Sequence, residues 1–474
     1  VGGRLIMDLR AGVARFDATT GLARLTGFPF ALLTWVGSDG FPMSAAVTID
    51  AIDPSASTAS FSAPAGLEVP TEAEVSLTGS HIRPQPGMGY DERRHVTVWG
   101  RAADADAGQG RMTFRGEIAW GWDEADIPFP EYLERTVGQS RRYLADVSRE
   151  TGRSVRPQLS RGWLFLRATR LPFLSATLIP VAIGLAIAAA NGFFDVLTAV
   201  LTVIGAAAVH LGLNVANDVF DTRLGADDAN VNPTQYSGGS RVIQYGLVSL
   251  SGMQRLGLVF YAVATVIGLI LLALRPSPAL LAIGILGIIL SVGYTAPPLK
   301  LVYRGLGEIT TAIGFGPLML LGAYVVQSGG SIETAAVVAS LPVAILVALI
   351  LYVNEVPDRP SDARAGKRTL VVRLPQRTVI TIYDVAAAVA FAIIVAGVVL
   401  RLLPLPALLA LLAVPLALRV HRGLETYYDQ PYGLMAVMAT NIKLHLVVGV
   451  TLLGSYLAVV LVQLLAPGRS LFLP

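Results

Sequence analysis

Not one of the 474 residues is a cysteine. That excludes disulfides, Cys-ligated zinc, iron–sulfur clusters and thiol catalysis. Charge is scarce too: Asp, Glu, Lys and Arg make up 15% of the chain, against about 25% in ordinary soluble domains. The net charge of +3 is a mild excess that basic membrane-flanking loops account for, so no nucleic-acid partner is implied. The opening Val-Gly-Gly-Arg-Leu-Ile-Met lacks a sustained apolar h-region and does not read as a secretory signal. What the chain has in abundance is apolar material, at 53% of residues, which fits a polytopic membrane protein.

That material is unevenly spread. Residues 1 to 155 contain no uninterrupted apolar run of the roughly 20 residues needed to span a bilayer. From Leu171 onward such runs recur. The expected organisation is a soluble domain over 1–155, a basic juxtamembrane linker or helix over 156–170 and a membrane domain over 171–470. Nine candidate spans fall at 171–191, 195–216, 255–274, 278–296, 307–327, 333–354, 378–400, 404–420 and 444–466. Ala and Gly are frequent in them, which lets helix backbones approach closely in lipid.

Basic residues orient the spans. Loops after even-numbered spans carry Arg223, Arg241, Lys300, Arg304, Arg359, Arg364, Lys367, Arg368, Arg373, Arg377, Arg419 and Arg422, whereas loops after odd-numbered spans offer little beyond Arg275 and Arg401. The positive-inside rule predicts that the even loops are cytoplasmic. Arg153, Arg156, Arg161, Arg167 and Arg170, just before the first span, predict a cytoplasmic amino-terminal domain as well.

Two acidic clusters stand on that same side. In the first, Asn214, Asn217, Asp218 and Asp221 sit at i, i+3, i+4 and i+7, one face of a helix. Gly225 ends the helix, and Asp227 and Asp228 follow. In the second, Asn354, Asp358 and Asp362 repeat every four residues, although Pro357 and Pro360 predict a kink or unwinding there. Carboxylates at the end of an apolar span are costly, and they mark a functional site by default. Mg²⁺ takes one or two carboxylates, keeps several waters and completes its shell with substrate phosphates. Two such half-sites facing each other could clamp a diphosphate and neutralise it as it leaves, with Arg241, Lys300, Arg304, Lys367 and Arg368 as fixed cations. The plain alternative, solvated loop carboxylates, accounts poorly for two clusters of matching spacing on one membrane face.

Residues 25–105 read as β-rich. Phe28 to Val36 and Phe41 to Ile49 form strand candidates around a Gly37-Ser-Asp39-Gly40 turn, and Phe61, Val75 to Leu77 and His95 to Arg101 continue the alternation. Short strands with Gly, Pro and Asp turns predict a small barrel. Ser80 to Gly89 reads as a loop and Tyr132 to Val147 as a helix.

The membrane half resembles the UbiA superfamily of intramembrane prenyltransferases, in particular its 1,4-dihydroxy-2-naphthoate branch. The family motif Asn-Asp-x-x-Asp-x-x-x-Gly-x-Asp is matched by Asn217, Asp218, Asp221, Gly225 and Asp227. Its second motif is matched by Asn354, Asp358 and Asp362, followed by Gly366-Lys-Arg-Thr-Leu370. Tyr294 to Glu308, Ser237 to Val242 and Lys443 to Leu446 also have the family's look. The resemblance implies a nine-helix all-α bundle and two Mg²⁺ ions bridging Asp218, Asp221, Asp227, Asp358 and Asp362 to a polyprenyl diphosphate. Asp221 and Asp358 are central to the chemistry. Asn214, Asn217, Arg241, Tyr294, Lys300, Arg304, Asn354, Lys367 and Arg368 bind substrate. An allylic cation then forms and an aromatic acceptor attacks it, with loss of a carboxylate in the naphthoate branch of menaquinone synthesis. Departures are Glu355, where that branch commonly has a second Asn, and the prolines at 357 and 360.

The amino-terminal layout weakly resembles the pyridoxamine-phosphate-oxidase-like split barrel, a class that often binds flavin. Since its phosphate-binding positions do not match, a cofactor-free barrel is the preferred expectation. Rival readings are a family enzyme for another acceptor, such as 4-hydroxybenzoate, a glycerol phosphate lipid or a sugar phosphate, and a cation-coupled transporter. The CDP-alcohol phosphotransferases are set aside because their Asp-Gly-x-x-Ala-Arg run is absent. Transporters tend to carry buried acids near the bilayer midplane in repeated halves, not at helix ends beside basic loops.

Overall fold

A computed structural model of the chain describes residues 14–62, 69, 72–84, 90–106, 111–155, 157, 159–230, 232–466 and 468–473. These residues form two compact units, 1–155 and 156–474.

In the first unit, seven strands run β1 (Ala14–Phe16), β2 (Ala31–Val36), β3 (Pro42–Asp53), β4 (Thr58–Ser62), β5 (Glu74–Pro84), β6 (Tyr90–Asp106) and β7 (Arg111–Asp123). All pairings are antiparallel. Strands β2, β3, β4, β7, β6 and β5 pair in that order, and β5 returns to β2. The sheet is therefore a closed six-stranded barrel, with β1 added beside β4 along β7. Closure removes free edges. Gly40, with φ +80°, makes the β2–β3 turn possible, because only glycine takes that conformation without a steric cost. Helix α1 (Ala18–Leu25), capped by Asp17 through Thr20 N at 2.8 Å, buries Leu22 and Leu25. With Leu33, Phe61, Leu77, Val98 and Phe114 they fill the barrel's interior. Helix α2 (Phe129–Thr151) follows. The sequence expectation missed β1, α1 and β7. It also placed Ser80 to Pro84 in a loop, whereas they extend β5; residues 85–89 lie outside the described residues.

The second unit is helical: α3 (Arg161–Ala168), α4 (Ser175–Ala190), α5 (Val196–Leu224), α6 (Ala226–Ala229), α7 (Leu250–Leu274), α8 (Pro278–Gly293), α9 (Gly307–Ile313), α10 (Met319–Ser328), α11 (Thr334–Arg364), α12 (Leu370–Arg373), α13 (Gln376–Val399), α14 (Val414–Tyr427) and α15 (Leu434–Leu465). Among the described residues, eight helical segments are long and apolar enough to cross a membrane, and α8 is a ninth, shorter apolar helix of 16 residues. All nine expected spans thus have helical counterparts, with shifted ends. Helix α5 runs on to Leu224 and α15 begins at Leu434, each adding polar turns that hydropathy alone cuts off. Residues 405–413 form a 3₁₀ segment before α14.

Two features correct the sequence reading locally. Helix α11 stays helical for 31 residues through Pro342, Pro357 and Pro360. A packed membrane bundle tolerates such prolines because neighbouring groups and local adjustments satisfy the freed carbonyls. Asn354, Asp358 and Asp362 therefore keep one common face. Conversely, the span at 307–327 is not one α-helix. A π-helical turn, Gly314–Leu318, separates α9 from α10 and contains Pro317. Such turns re-aim side chains and are frequent at functional sites.

Helix contacts rest on small residues. A Cβ on Gly316 would lie 2.2 Å from Ala344 Cβ and 3.0 Å from Ser340 O, both on α11. Gly316→Leu should consequently overpack the α11 contact and lower stability by about 1–3 kcal/mol or more. Thermal unfolding in detergent measures this, and an unchanged midpoint would contradict the close approach.

Candidate active site

Three loops and two helix ends converge at one end of the helical unit. Asp195 caps the start of α5 through Thr198 N at 2.8 Å, and Gly225, with φ +81°, ends it. Its last turns present Asn214, Asn217 and Asp221 to a polar chamber. Helix α6 adds Asp227, and the end of α11 adds Asn354, Glu355, Asp358 and Asp362 across from it. The two motifs, separated by the 127 positions from Asp227 to Asn354, face one cavity.

Each carboxylate has an assigned environment. Asp221 accepts from Tyr303 OH at 2.7 Å and from Asn217 Nδ2 at 3.1 Å. Asp358 accepts from Asn230 Nδ2 at 2.8 Å and from Gly238 N at 2.9 Å. Asp218 accepts from Ser240 N at 3.1 Å. Gly238 and Gly239 both have positive φ, and a Cβ on Gly239 would sit 2.9 Å from both Asp227 carboxylate oxygens. The Ser237 to Ser240 segment is thus a backbone cradle pressed onto the acids, and no side chain fits there.

Lys367 joins the two motifs. Its ammonium lies 3.3 Å from Asp221 and 3.7 Å from Asp362, with side-chain exposures of 13%, 5% and 6% for the three groups. Burial pulls the Lys367 pKa down, but Asp221 and Asp362 more than offset it and hold the amine charged, above its ordinary range. Asp227 is pushed well above the usual carboxylate range, first by burial and then by Asp218 and Asp221. The chamber is therefore short of positive charge. Asp218 Oδ1 and Asp227 Oδ2 are buried with no hydrogen-bond partner. Such hard, acceptor-only oxygens fit a divalent cation. Among the described residues no three acidic or histidine side chains enclose a single point, so a cation here must draw further ligands from water or substrate.

Not every expected residue reaches the chamber wall. Asn214, Asn217, Asp221, Asp227, Tyr294, Asn354, Asp358, Asp362 and Lys367 line it. Asp218 lies buried behind, and Arg241 is buried with its guanidinium donating to Asp227 O. Arg304 donates to Pro298 O at 2.9 Å, Lys300 sits 6.0 Å from the Tyr303 ring, and Arg368 donates its backbone N–H to Tyr303 O at 3.2 Å. None of those three is among the residues that line the cavity. Sequence reasoning passed over Asn230, Arg170, Phe173, Tyr236 and Phe315 as site residues, although all five line the chamber. Only Asn230 carried a usable signal, closing the polar run Asp227-Asp228-Ala-Asn230. His210 is held by Thr177 Oγ1 at 2.7 Å and stands edge-on to Phe315 at 5.3 Å.

The chamber continues into apolar space. His210, Leu213, Tyr294, Thr311 and Phe315 belong both to the polar chamber and to a second, apolar compartment between α5, α8 and α9. A third compartment, larger and as apolar, follows between α5, α7, α8 and α10. The arrangement suits an amphiphile with an anionic head and a long hydrocarbon tail.

Comparison with known proteins agrees with this reading. Residues 177–439 match the model of the UbiA prenyltransferase family. A 2-carboxy-1,4-naphthoquinone phytyltransferase from Synechocystis is 28% identical over 62% of this chain and 92% of its own length. A 1,4-dihydroxy-2-naphthoate octaprenyltransferase from Mycobacterium tuberculosis is 34% identical over 47% of this chain and 72% of its own. Among solved structures, a UbiA homolog from Archaeoglobus fulgidus bound to GPP and Mg²⁺ covers 62% of this chain and 99% of its own, with 15% identity and a TM-score of 0.43.

Removing the central cation should expose the charge imbalance. Lys367→Met leaves Asp221 and Asp362 buried and unpaired, a loss on the order of 3–5 kcal/mol. Added Mg²⁺ should raise the thermal midpoint of the variant more than that of the parent. Equal midpoints without metal would show that Lys367 does not hold the motifs together.

Proposed function

As the chain belongs to the UbiA prenyltransferase family, a family of membrane enzymes, we propose that its chamber holds the diphosphate of a polyprenyl donor between two Mg²⁺ ions. The acceptor in this reading is an aromatic carbon of 1,4-dihydroxy-2-naphthoate, in menaquinone biosynthesis. The observation that carries it is the pair of acidic motifs opposed across one cavity, bridged by Lys367 at 3.3 and 3.7 Å, with apolar compartments leading away.

In this reading the acids of the two motifs, Asp218, Asp221 and Asp227 on one side and Asp358 and Asp362 on the other, would supply carboxylate ligands to the ions, with water and the diphosphate completing each shell. The ions would supply positive charge to the leaving diphosphate. The chain's own residues do the rest. Tyr303 and Asn217 orient Asp221; Asn230 and Gly238 orient Asp358. Lys367 supplies fixed positive charge beside the leaving group. Phe315, Leu213, Val347 and Ile350 form the apolar side of the chamber and exclude water from the allylic cation. The carbon–oxygen bond to diphosphate breaks with its electron pair leaving on the diphosphate, and the acceptor carbon supplies the pair for the new carbon–carbon bond. Loss of the acceptor's carboxylate as CO₂ returns a pair to the ring and restores its aromaticity. The naphthoate acceptor is supported by the names of the relatives from Synechocystis and M. tuberculosis. A different aromatic acceptor is the second reading, favoured by Glu355, which lines the chamber where the naphthoate branch commonly has Asn.

Membranes containing the protein, labelled polyprenyl diphosphates and a panel of dihydroxynaphthoate, 4-hydroxybenzoate and glycerol phosphate distinguish the acceptors. Product with dihydroxynaphthoate alone is expected. Asp221→Asn and Asp358→Asn should each lower Mg²⁺-dependent transfer by about 10²–10³-fold or more, while the protein still inserts. Full activity in both variants would end the assignment.

The absence of cysteine makes orientation directly measurable. Ser331→Cys, between α10 and α11, should react with a membrane-impermeant maleimide on intact cells. Gln376→Cys, at the start of α13, should react only after lysis, placing the motifs in the cytoplasm. The reverse pattern would invert the topology.

A further inference from the structure

Three glycines along the apolar compartments have no local reason to be glycine. Gly287 lines the second compartment, Gly284 lines the second and third, and Gly268 lines the third only. None has the positive φ that calls for glycine. In membrane helices glycine commonly serves close helix contact, and other glycines of the third compartment do so. A Cβ on Gly205 would meet Ile267 Cγ2 at 3.0 Å, and one on Gly322 would meet Ile283 Cγ2 at 3.3 Å. A Cβ on Gly268, Gly284 or Gly287 meets nothing within 4 Å. Glycine in a helix interior is conformationally unfavourable, so open space in front of all three calls for a different cause.

Their order along the passage supplies it. Helix α8 ends beside Tyr294, which lines the polar chamber. Measured along the helix at 1.5 Å per residue, Gly287 lies about 10 Å and Gly284 about 15 Å from that end. Gly268, on α7, lines the third compartment alone. It lies about 9 Å before the end of α7 at Leu274, as Gly284 lies about 9 Å after the start of α8 at Pro278. Since only residues 275–277 join the two helices, Gly268 and Gly284 stand at one level. That compartment's wall includes Ile285, Ile289 and Leu269, all more than two-fifths exposed, so its outer side is turned to lipid. A tail that passes all three positions therefore has somewhere to go.

We infer that Gly287 and, one level deeper, Gly284 and Gly268 on neighbouring helices are gauge points for the donor tail, and that glycine at all three fits this enzyme to long polyprenyl diphosphates. The inference rests on the polyprenyl-diphosphate reading above. A branched side chain placed at a gauge point would project into the passage without disturbing helix packing, because its Cβ has room. It would stop the tail at that depth and leave the diphosphate chamber untouched.

Gly287→Leu, Gly284→Leu and Gly268→Leu are assayed in membranes with donors of two, four and eight isoprene units. The parent is expected to use all three. Gly268→Leu, at the level of Gly284, should lose at least tenfold in kcat/KM with the eight-unit donor and several-fold with the four-unit donor. Gly284→Leu should lose at least tenfold with eight units and several-fold with four. Gly287→Leu should lose at least tenfold with both. All three variants should keep the two-unit donor within about threefold of the parent, which also reports intact folding. Unchanged donor ratios overturn the inference, as does an equal loss with every donor. Failure of the parent with every donor and every acceptor overturns the polyprenyl reading itself, and this inference with it. A parent active with two units but not eight overturns the inference alone.

Discussion

Everything in the helical unit is arranged around one electrostatic difficulty. Five aspartates, Asp218, Asp221, Asp227, Asp358 and Asp362, stand close together at the mouth of an apolar bundle, and one buried ammonium, that of Lys367, lies between the motifs. Burying like charges together is strongly unfavourable. The surrounding structure can be read as the means by which the protein tolerates it. Backbone N–H groups of Ser240 and Gly238, amides of Asn217 and Asn230 and the Tyr303 hydroxyl each donate to one carboxylate. Two oxygens, Asp218 Oδ1 and Asp227 Oδ2, remain without a donor. Among the described residues Arg170 and Arg241 offset part of the acids' charge, and these two oxygens are where a divalent ion would find carboxylate ligands.

The same need explains the irregular backbone nearby. Gly238 and Gly239 take left-handed conformations so that the chain can approach the acids with its N–H groups; successive backbone donors in such a turn are the usual way to meet an anion. The loops after α8 and α11 are tied together, Arg368 N donating to Tyr303 O, and this sets Tyr303 and Lys367 on the same carboxylate. A loop-to-loop backbone bond thus fixes the position of a charge pair. Arg304 adds to that framework by donating to Pro298 O.

Much of the site was legible because it rests on short-range order. Asn214, Asn217, Asp221 and Asn354, Asp358, Asp362 share faces for reasons of helical period alone, and apolar runs located their helices. What escaped needed long-range information. Asn230 bonds Asp358 across 128 residues, and no local pattern marks that partnership. The π turn that carries Phe315 interrupts a span whose hydropathy is uniform. Pro357 and Pro360 misled in the other direction, because the local rule for proline ignores the neighbours that a packed bundle provides. In the barrel, β7 was missed although Arg111 to Asp123 alternates, since the run of Gly116, Trp120, Gly121 and Trp122 masks the period; pairing with β6 and β4 decides it.

Helix α5 shows how the two halves of the site are one design. Read from its end inward, the residues facing the cavities are Asp221, Asn217, Asn214, His210, then Val209 and Ala206, then Gly205 and Thr202. Over roughly 28 Å at 1.5 Å per residue, one helix face grades from ionised through hydrogen-bonding to apolar. An amphiphile laid along it finds its charged end at the acids and its tail against carbon, in one orientation only, since the reverse would strand a diphosphate in an apolar compartment. Binding and orientation are therefore the same event. In the proposed reading the reacting carbon, which joins head to tail, falls where the gradient changes character, near Asn214, His210 and Phe315, and an acceptor would meet it there.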